Sequence, residues 1–531
     1  MKKGALDTNR TSVALLVLLL IIFTFLIYGQ TLTYNFVWDD NGPHLVQNPY
    51  LEKLSFHNLL HFWTESYQGM FIPISYTAIF IMTLISKFLT GIPFNTSFFH
   101  FFNVLFHFIN CILVFYFLRK ILKNTSAAFI GSLIFLVHPI QAEAVSMVTE
   151  FRGLFSTFWG LLFLLAADKS LSHIKKNAFD TLLCVVLFLI SVLSKPIGIV
   201  FFPIFFIYAL MFKGLRLGQV LKRSIPYIFI SLVVVYITKL FQPTFVLKYE
   251  VPLFSRFIIW MDSLVFYLKK IFIPFSFSPS YARTAQRVLS SWHPYVIWII
   301  PFIFLTLLIA YRKKIKNVSF AYFIFIIGFL PVSGLVPFIF QNWSTVADRY
   351  MYISMIGIAL LAGAAYRYFS YKPMKFLIIA LIALLAVDTA FIQVPIWKNN
   401  ITLWSHCIEK TPIEANAYYN RGNEFMLLKM YDAANADFEN AVTYDTGFTK
   451  ALYKKGYLLL GQKKFDEALE YFNSVLKIDS EFAIAYISKA VVYYYLKEFD
   501  KAWDEIRKAQ IRGIEVNSHF MKTLAKASQK T

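Results

Sequence analysis

The sequence predicts an all-α protein, a polytopic helical membrane domain followed by an α-solenoid, and three observations carry that prediction. The 531 residues are 58% hydrophobic and 19% aromatic but only 15% charged, where a soluble protein of this size carries roughly a quarter charged residues. Apolar runs recur that approach the roughly 20 residues needed to cross a bilayer. After Val394 the composition turns polar, and a period of 34 residues sets in.

The chain opens with a basic stretch, "MKKGALDTNR", and then the apolar "TSVALLVLLLIIFTFLIYG". It lacks a small-residue cleavage site, so it reads as an uncleaved first span. Spans are expected near 11–29, 98–118, 126–147, 153–168, 178–194, 196–212, 224–241, 294–311, 318–338, 350–369 and 375–394, about 11 in all. Two further apolar stretches are interrupted: 71–89 by Pro73 and the group Ser75, Tyr76, Thr77, and 255–275 by Asp262 and a terminal Lys269-Lys270.

Basic runs set the expected orientation. "RKILK" (119–123), "KSLSHIKK" (169–176), "KGLRLGQVLKR" (213–223), "YRKKIK" (311–316) and "YRYFSYKPMK" (366–375) should be cytoplasmic by the positive-inside rule. With the N-terminus also inside, this requires 71–89 and 255–275 to lie in the plane of the outer face. Asp39, Asp40, Glu52, Glu65, Glu143, Glu150, Glu250 and Asp348 then fall outside, which is where chemistry is expected. The net charge of +21 is carried by these short loop runs, a topology signal that does not imply nucleic acid. Of the three cysteines, Cys111 and Cys184 lie inside apolar runs, which leaves no disulfide framework and no metal-ligand spacing.

In the tail, Gly422, Gly456 and Ala490 superpose, as do Ala434, Ala468 and Ala502. Tyr431, Phe465 and Phe499 align, each followed by an Asp, and Phe438, Phe472 and Ile506 fill the next large slot. Small residues recur where two helices must approach closely, with aromatics between them. This is the tetratricopeptide pattern, with repeats expected near 415–448, 449–482 and 483–516 in a domain spanning 396–531. Trp404 and Pro412 fit the second helix of a degenerate preceding unit. Such solenoids present a concave face to peptide or protein partners; a stabilising cap is the plainer alternative.

Side-by-side carboxylates in "WDD", Asp39 and Asp40, repel one another and need a solvating, binding or catalytic reason. "LVHPIQAEAVSMVTEFRG" gathers His138, Glu143, Glu150 and Arg152, and charged groups at a lipid boundary mark a functional candidate; a local Glu150–Arg152 pair is the structural alternative. Lys195 stands at the tip of a tight hairpin before Pro196, where it either meets an anion or snorkels. "FQNWSTVADRYMYIS" sets Asp348, Arg349 and Tyr350 at the mouth of a span. Arg grips phosphate in bidentate fashion, while an Asp348–Arg349 pair would be merely structural. His100, Asn103 and His107 share one helical face and read as helix–helix hydrogen bonding, not as a metal site. No phosphate-binding loop, dinucleotide fingerprint, zinc motif or serine elbow is present.

In this order, "FVWDDNGPHLVQNPYL", "FIPISYTAIF", "FHFFNVLFH", "HPIQAEAVSMVTEFR", "SKPIG", "VADRYMYIS" and "WKNNITLWSHCIEKTP" before the repeats resemble the transmembrane and tetratricopeptide O-mannosyltransferase-like family of the GT-C glycosyltransferase superfamily. The resemblance covers essentially the whole chain, with residues 1–395 as the transferase domain. The family pattern has Arg-Pro before the first in-plane helix, and here Phe71-Ile72-Pro73 stands in its place.

The resemblance implies a sugar, mannose in the family's name, moved from a polyprenyl-phosphate carrier to a protein hydroxyl or glycan at the outer face, with inversion. It assigns the catalytic base to Asp39 or Asp40, and the other carboxylate would raise that base's pKa or orient the acceptor. Arg152, Lys195 and Arg349 are the candidates for the donor phosphate. No cofactor is required, and a divalent metal is compatible but not demanded. Two alternatives stay open: a surface-polysaccharide polymerase or ligase using the same carrier, and a membrane-anchored scaffold whose repeats recruit export or pilus proteins. The expected setting is a bacterial inner membrane with the N-terminus cytoplasmic and the repeats periplasmic, or the endoplasmic reticulum in a eukaryote.

Overall fold

The computed structural model describes residues 2–172, 177–241, 251–297, 315–336 and 338–528, with positions 299, 301, 303, 306 and 310 besides. The expected span at 294–311 and the carboxylate at Glu250 lie largely or wholly outside the described residues. The chain divides into two units, Met1–Leu403 and Trp404–Thr531, and both are helical.

The first unit contains twelve helices that matter here: α1 Lys2–Tyr28, α2 Pro73–Thr90, α3 Thr96–Leu122, α4 Thr125–Val137, α5 Phe151–Ser172, α6 Ala178–Ser194, α7 Phe201–Phe212, α8 Leu217–Phe241, α9 Leu253–Phe272, α10 Lys316–Phe329, α11 Met355–Tyr368 and α12 Lys372–Asp388. By length and composition six helices could cross a membrane, or seven if α4 and the bent segment Pro139–Ser146 form one span. Four shorter apolar helices, α6, α7, α10 and α11 with their flanking turns, accompany them. The chain is therefore a multi-pass membrane protein. Asparagines set several helix starts: Asn95, Asn124 and Asn177 each accept a backbone N–H from the first turn of α3, α4 and α6, which satisfies one of the orphan donors there.

The two interrupted stretches behave differently. α9 is not among the helices apolar enough to cross, whereas α2 is. The interruptions in α2 have local explanations. Pro73 occupies the first helical turn, where its missing N–H is harmless. Ser75 donates to the carbonyl of Ser194 (2.7 Å) and Trp63 donates to Thr77 (2.9 Å). At its other end, the Asn95 N–H reaches the Ser86 hydroxyl (3.2 Å). α2 is thus tied at one end to the close of α6 and at the other to the start of α3.

The bundle packs where side chains are smallest. A Cβ on Gly363 of α11 would fall 2.6 Å from the Ala127 carbonyl oxygen of α4, and one on Gly131 would strike the Ala359 carbonyl. Such backbone contacts are the usual basis of helix association in lipid. Gly363→Val is accordingly expected to lower stability by about 1–3 kcal/mol through overpacking, read as a lower melting temperature in detergent. Several polar groups inside the bundle are paired with neighbouring segments, although both ring nitrogens of His100 are without a hydrogen-bond partner among the described residues. Asn103 donates to the carbonyls of Val145 (3.2 Å) and Met147 (2.8 Å), and the His107 ring lies 2.9 Å from the Tyr352 hydroxyl.

The second unit stacks three helix pairs: α13 Ala415–Leu427 with α14 Tyr431–Tyr444, α15 Thr449–Gly461 with α16 Phe465–Ile478, and α17 Ala483–Tyr495 with α18 Phe499–Ile511. A Cβ on Gly422 or Gly456 would meet the ring of Phe438 or Phe472 at 2.8 Å. The small residue at this position is what lets each ring fill its slot. The period also reaches the backbone: Lys429, Lys463 and Lys497 take left-handed φ values of 61°, 62° and 63° at the turn inside each pair.

Candidate functional site

The tandem acids sit in a tight turn, Trp38–Asn41, and the structure separates them. Asp40 is fully buried. Its carboxylate accepts the backbone N–H groups of Thr149 (2.7 Å), Val148 (3.1 Å) and Val37 (3.4 Å). Asp40 therefore holds the Val148–Glu150 turn that leads into α5. Burial pushes its carboxyl up to about 7, against the pull of the Thr149 and Val148 N–H groups. Asp39 is only partly buried. Burial raises its carboxyl above the usual range, Arg349 and Arg152 draw it back down, and Glu150 adds to the rise. The expectation that the neighbouring carboxylate would do the raising is replaced by burial.

Around Asp39 lies a charged cluster drawn from three distant segments. Lys195, at the close of α6, bonds Glu150 at 2.7 Å. Arg349 pairs through its guanidinium with Glu143, takes a second bond from its own backbone N–H to the same carboxylate (3.0 Å), and lies 3.8 Å from Glu150. Its guanidinium also stacks on Phe340 (4.5 Å), Trp38 (5.2 Å) and Tyr350 (5.2 Å). Gly153 makes room for the ion pair, because a Cβ there would sit 3.0 Å from the Glu150 carboxylate and 3.5 Å from the Lys195 ammonium. Arg152 is buried and donates from Nε to the Thr149 carbonyl (2.8 Å), while its Nη1 has no hydrogen-bond partner among the described residues. Glu150, Lys195, Arg349 and Tyr350 line a cavity of about 20 Å³, room for roughly one water.

Neither of the local ion pairs weighed as structural alternatives forms. Glu150 pairs with Lys195 and Arg349 instead of Arg152, and Arg349 pairs with Glu143 instead of Asp348. Residues one or two apart in a helical turn point away from each other, so their partners come from elsewhere in the chain. His138 also differs from a reacting group. Its Nδ1 accepts the Ile140 N–H (3.3 Å) and its Nε2 lies 3.1 Å from the Ile271 carbonyl, so both nitrogens serve the backbone. Among the described residues no cluster of three or more His, Cys, Asp or Glu is placed to hold a metal ion.

Three residues outside the expected site set belong to the site: His44, Tyr76 and Tyr281. His44 follows the acidic pair by four positions and contacts the Tyr76 hydroxyl (3.2 Å). Burial, then Arg152 and Lys195, lower its imidazole to about 3, so it is neutral. Tyr281 donates to Asp348, 2.8 Å from both carboxylate oxygens. The mid-run polar group of α2 pointed to Tyr76; nothing local marked Tyr281.

Asp348 has a pH consequence. Burial first, and the Glu143 carboxylate second, push it up to about 8, with Lys270 opposing. The folded chain then keeps a proton that the unfolded chain releases near pH 4. This contribution to stability is complete below that pH and is lost as pH climbs toward 8. Melting temperatures are expected to fall between about pH 5 and 8, and Asp348→Asn, neutral throughout, should flatten that slope.

These features define a class: a multi-pass helical membrane protein with an acidic turn beside a buried charged cluster, followed by tetratricopeptide repeats. Residues 415–447 and 449–482 match family models described as tetratricopeptide repeat. Within that class the chain is related to proteins named protein O-mannosyl-transferase. It is 24% identical over 383 residues to F38B6.6 of Caenorhabditis elegans, covering 67% of this chain and 51% of that protein. To TMTC1 of Mus musculus and of Homo sapiens it is 28% and 29% identical over 200 residues, 35% of this chain and 21% and 22% of theirs. The chain thus aligns with about half the length of the worm protein and about a fifth of the mammalian ones. Solved structures it resembles include the crystal structure of MamA, 22% identical over 27% of this chain and 82% of that one, with a TM-score of 0.21.

Proposed function

We propose that the chain is an inverting membrane glycosyltransferase, moving a sugar from a polyprenyl-phosphate donor to a protein hydroxyl or a glycan at the extracytoplasmic face. The observation that carries this reading is Asp39, a carboxylate with no hydrogen bond among the described residues, within the electrostatic reach of Arg349 and of Arg152, whose Nη1 is likewise unpartnered. The names of the related proteins point the same way and suggest mannose.

Asp39 takes the proton from the acceptor hydroxyl as its oxygen attacks the anomeric carbon. The bond from that carbon to the phosphate oxygen breaks, and the electron pair leaves with the lipid phosphate. A hydroxyl is a poor nucleophile until a base is in place, and burial of Asp39 strengthens it as a base. Arg152 is the cation placed to meet the developing phosphate charge directly. Lys195 and Arg349, held by Glu150 and Glu143, supply the surrounding positive field and fix the cluster. Asp40 is a positioning residue that holds the turn.

Two neighbouring carboxylates on one turn cannot straddle a sugar ring as a hydrolase pair does, which favours direct displacement. The anchoring of α2 at both ends supports its lying in the membrane plane, which keeps the acidic turn outside and the N-terminus and basic loops inside. The repeats are proposed to bind a protein partner or acceptor.

The test is a transfer assay with the purified full chain, a panel of radiolabelled polyprenyl-phosphate sugars and a membrane extract as acceptor. Consumption of one donor, with product of inverted anomeric configuration, supports the reading. If no donor is consumed, the charged cluster is structural and the repeats carry the function as a scaffold.

A further inference from the structure

A second charged cavity lies at the other end of the bundle. Arg152 and Ser170 stand 18 residues apart on α5, about 27 Å at the rise of an α-helix, close to the thickness of a bilayer's hydrocarbon core. At the Ser170 end, α5, α6, α7 and α8 enclose a cavity of about 120 Å³ lined by Ser170, Thr181, Phe205, Lys222, Arg223 and Tyr227.

Its chemistry is one-sided. Among the described residues neither Lys222 nor Arg223 has an acidic partner. The nearby acids are engaged elsewhere: Asp168 is held by Lys213 (2.6 Å), Lys120 (3.3 Å) and the Tyr208 hydroxyl (2.5 Å), and Asp180 by Lys169 (3.6 Å). The Ser170 hydroxyl makes no hydrogen bond among the described residues, whereas that of Thr181 serves the Asn177 carbonyl (3.1 Å). α6 also directs its N-terminus, the positive end of its dipole, toward this region. The rings of Phe205 and Tyr227 in its lining are buried.

Solvated loop lysines would explain two basic residues at a membrane boundary. They do not explain why exposed Lys222 and half-buried Arg223 line one cavity together with the Ser170 hydroxyl and two aromatic rings. We propose that this cavity binds the phosphate of an anionic phospholipid headgroup, Arg223 and Lys222 on the phosphate oxygens and Ser170 donating to a third. The glycerol end of the acyl chains would rest against Phe205 and Tyr227. Basic pockets between membrane helices are a recurrent form of headgroup recognition, and the guanidinium fork suits a phosphate. The site is separate from the acidic turn and does not depend on the transferase reading.

The test is a titration of the full chain in neutral detergent with fluorescent phosphatidylglycerol, phosphatidylcholine and inorganic phosphate. Phosphatidylglycerol should bind, phosphatidylcholine far more weakly, and K222Q/R223Q should weaken phosphatidylglycerol binding roughly thirtyfold. The control R216Q/K372Q removes the same charge from exposed basic positions outside the cavity and should bind as wild type does. If the double variant folds poorly, K222Q and R223Q singly should each show part of the loss. Equal binding by wild type and the cavity variants, or an equal loss in the control, overturns the site. Inorganic phosphate binding as tightly as the lipid, and lost in K222Q/R223Q, overturns the lipid as its source.

Discussion

Arg349→Ala is expected to cost the protein both its fold and its transfer activity. The guanidinium neutralises Glu143, whose side chain is 2% exposed, and lies close to Glu150, 8% exposed. Removing it leaves a buried carboxylate without its cation, which costs about 3–5 kcal/mol, a large share of the stability of most domains. The aromatic sleeve of Trp38, Phe340 and Tyr350 would also lose the group it encloses. Arg349→Lys keeps the charge but not the planar fork or the stacking, so an intermediate loss is expected. The informative companion is Arg349→Met with Glu143→Gln, which removes both charges together. Folding should largely return, because replacing a whole buried pair is far milder than breaking it. Transfer should not return. Melting temperature and label transfer, measured on the same preparations, separate the two effects.

Asp39→Asn and Asp40→Asn are expected to fail in different ways. Asn at position 39 is isosteric, and no hydrogen bond among the described residues depends on the lost charge, so the variant should fold and bind donor normally. Its turnover should drop by about 10²–10⁴-fold, the usual contribution of a positioned general base. Asn at position 40 must turn its NH₂ toward at least one of the N–H groups of Val37, Val148 and Thr149 that the carboxylate now accepts. Leaving a buried donor unsatisfied costs about 1–3 kcal/mol, so Asp40→Asn should melt at a lower temperature. Because burial raises Asp39, the acid limb of the wild-type rate profile should lie above the ordinary carboxylate range.

Much of the architecture was legible because two strong periodicities wrote it. Apolar runs marked the membrane helices, and the 34-residue period marked repeats that recur down to the φ of Lys429, Lys463 and Lys497. The candidate site was legible as a set of residues but not as a set of partnerships. "WDD" announced two carboxylates, yet their division of labour depends on backbone N–H groups 108 and 109 residues away. Arg349 is adjacent to Asp348 in sequence but bonds Glu143, 206 positions distant. Pairing of this kind is set by which segments the bundle brings to one end, and no local pattern encodes it. Tyr281 was missed for the same reason: an ordinary loop tyrosine in sequence, it meets Asp348 only after α9 and the start of α11 converge.

The most direct measurement compares label transfer from the preferred polyprenyl-phosphate sugar by wild type, Asp39→Asn and Asp40→Asn at matched donor occupancy. The account predicts transfer by wild type, residual transfer in proportion to folded protein for Asp40→Asn, and near-complete loss for Asp39→Asn despite normal folding and donor binding. Transfer by Asp39→Asn at the wild-type rate would contradict it, and Asp39 would then be a solvated loop residue beside a purely structural charge cluster.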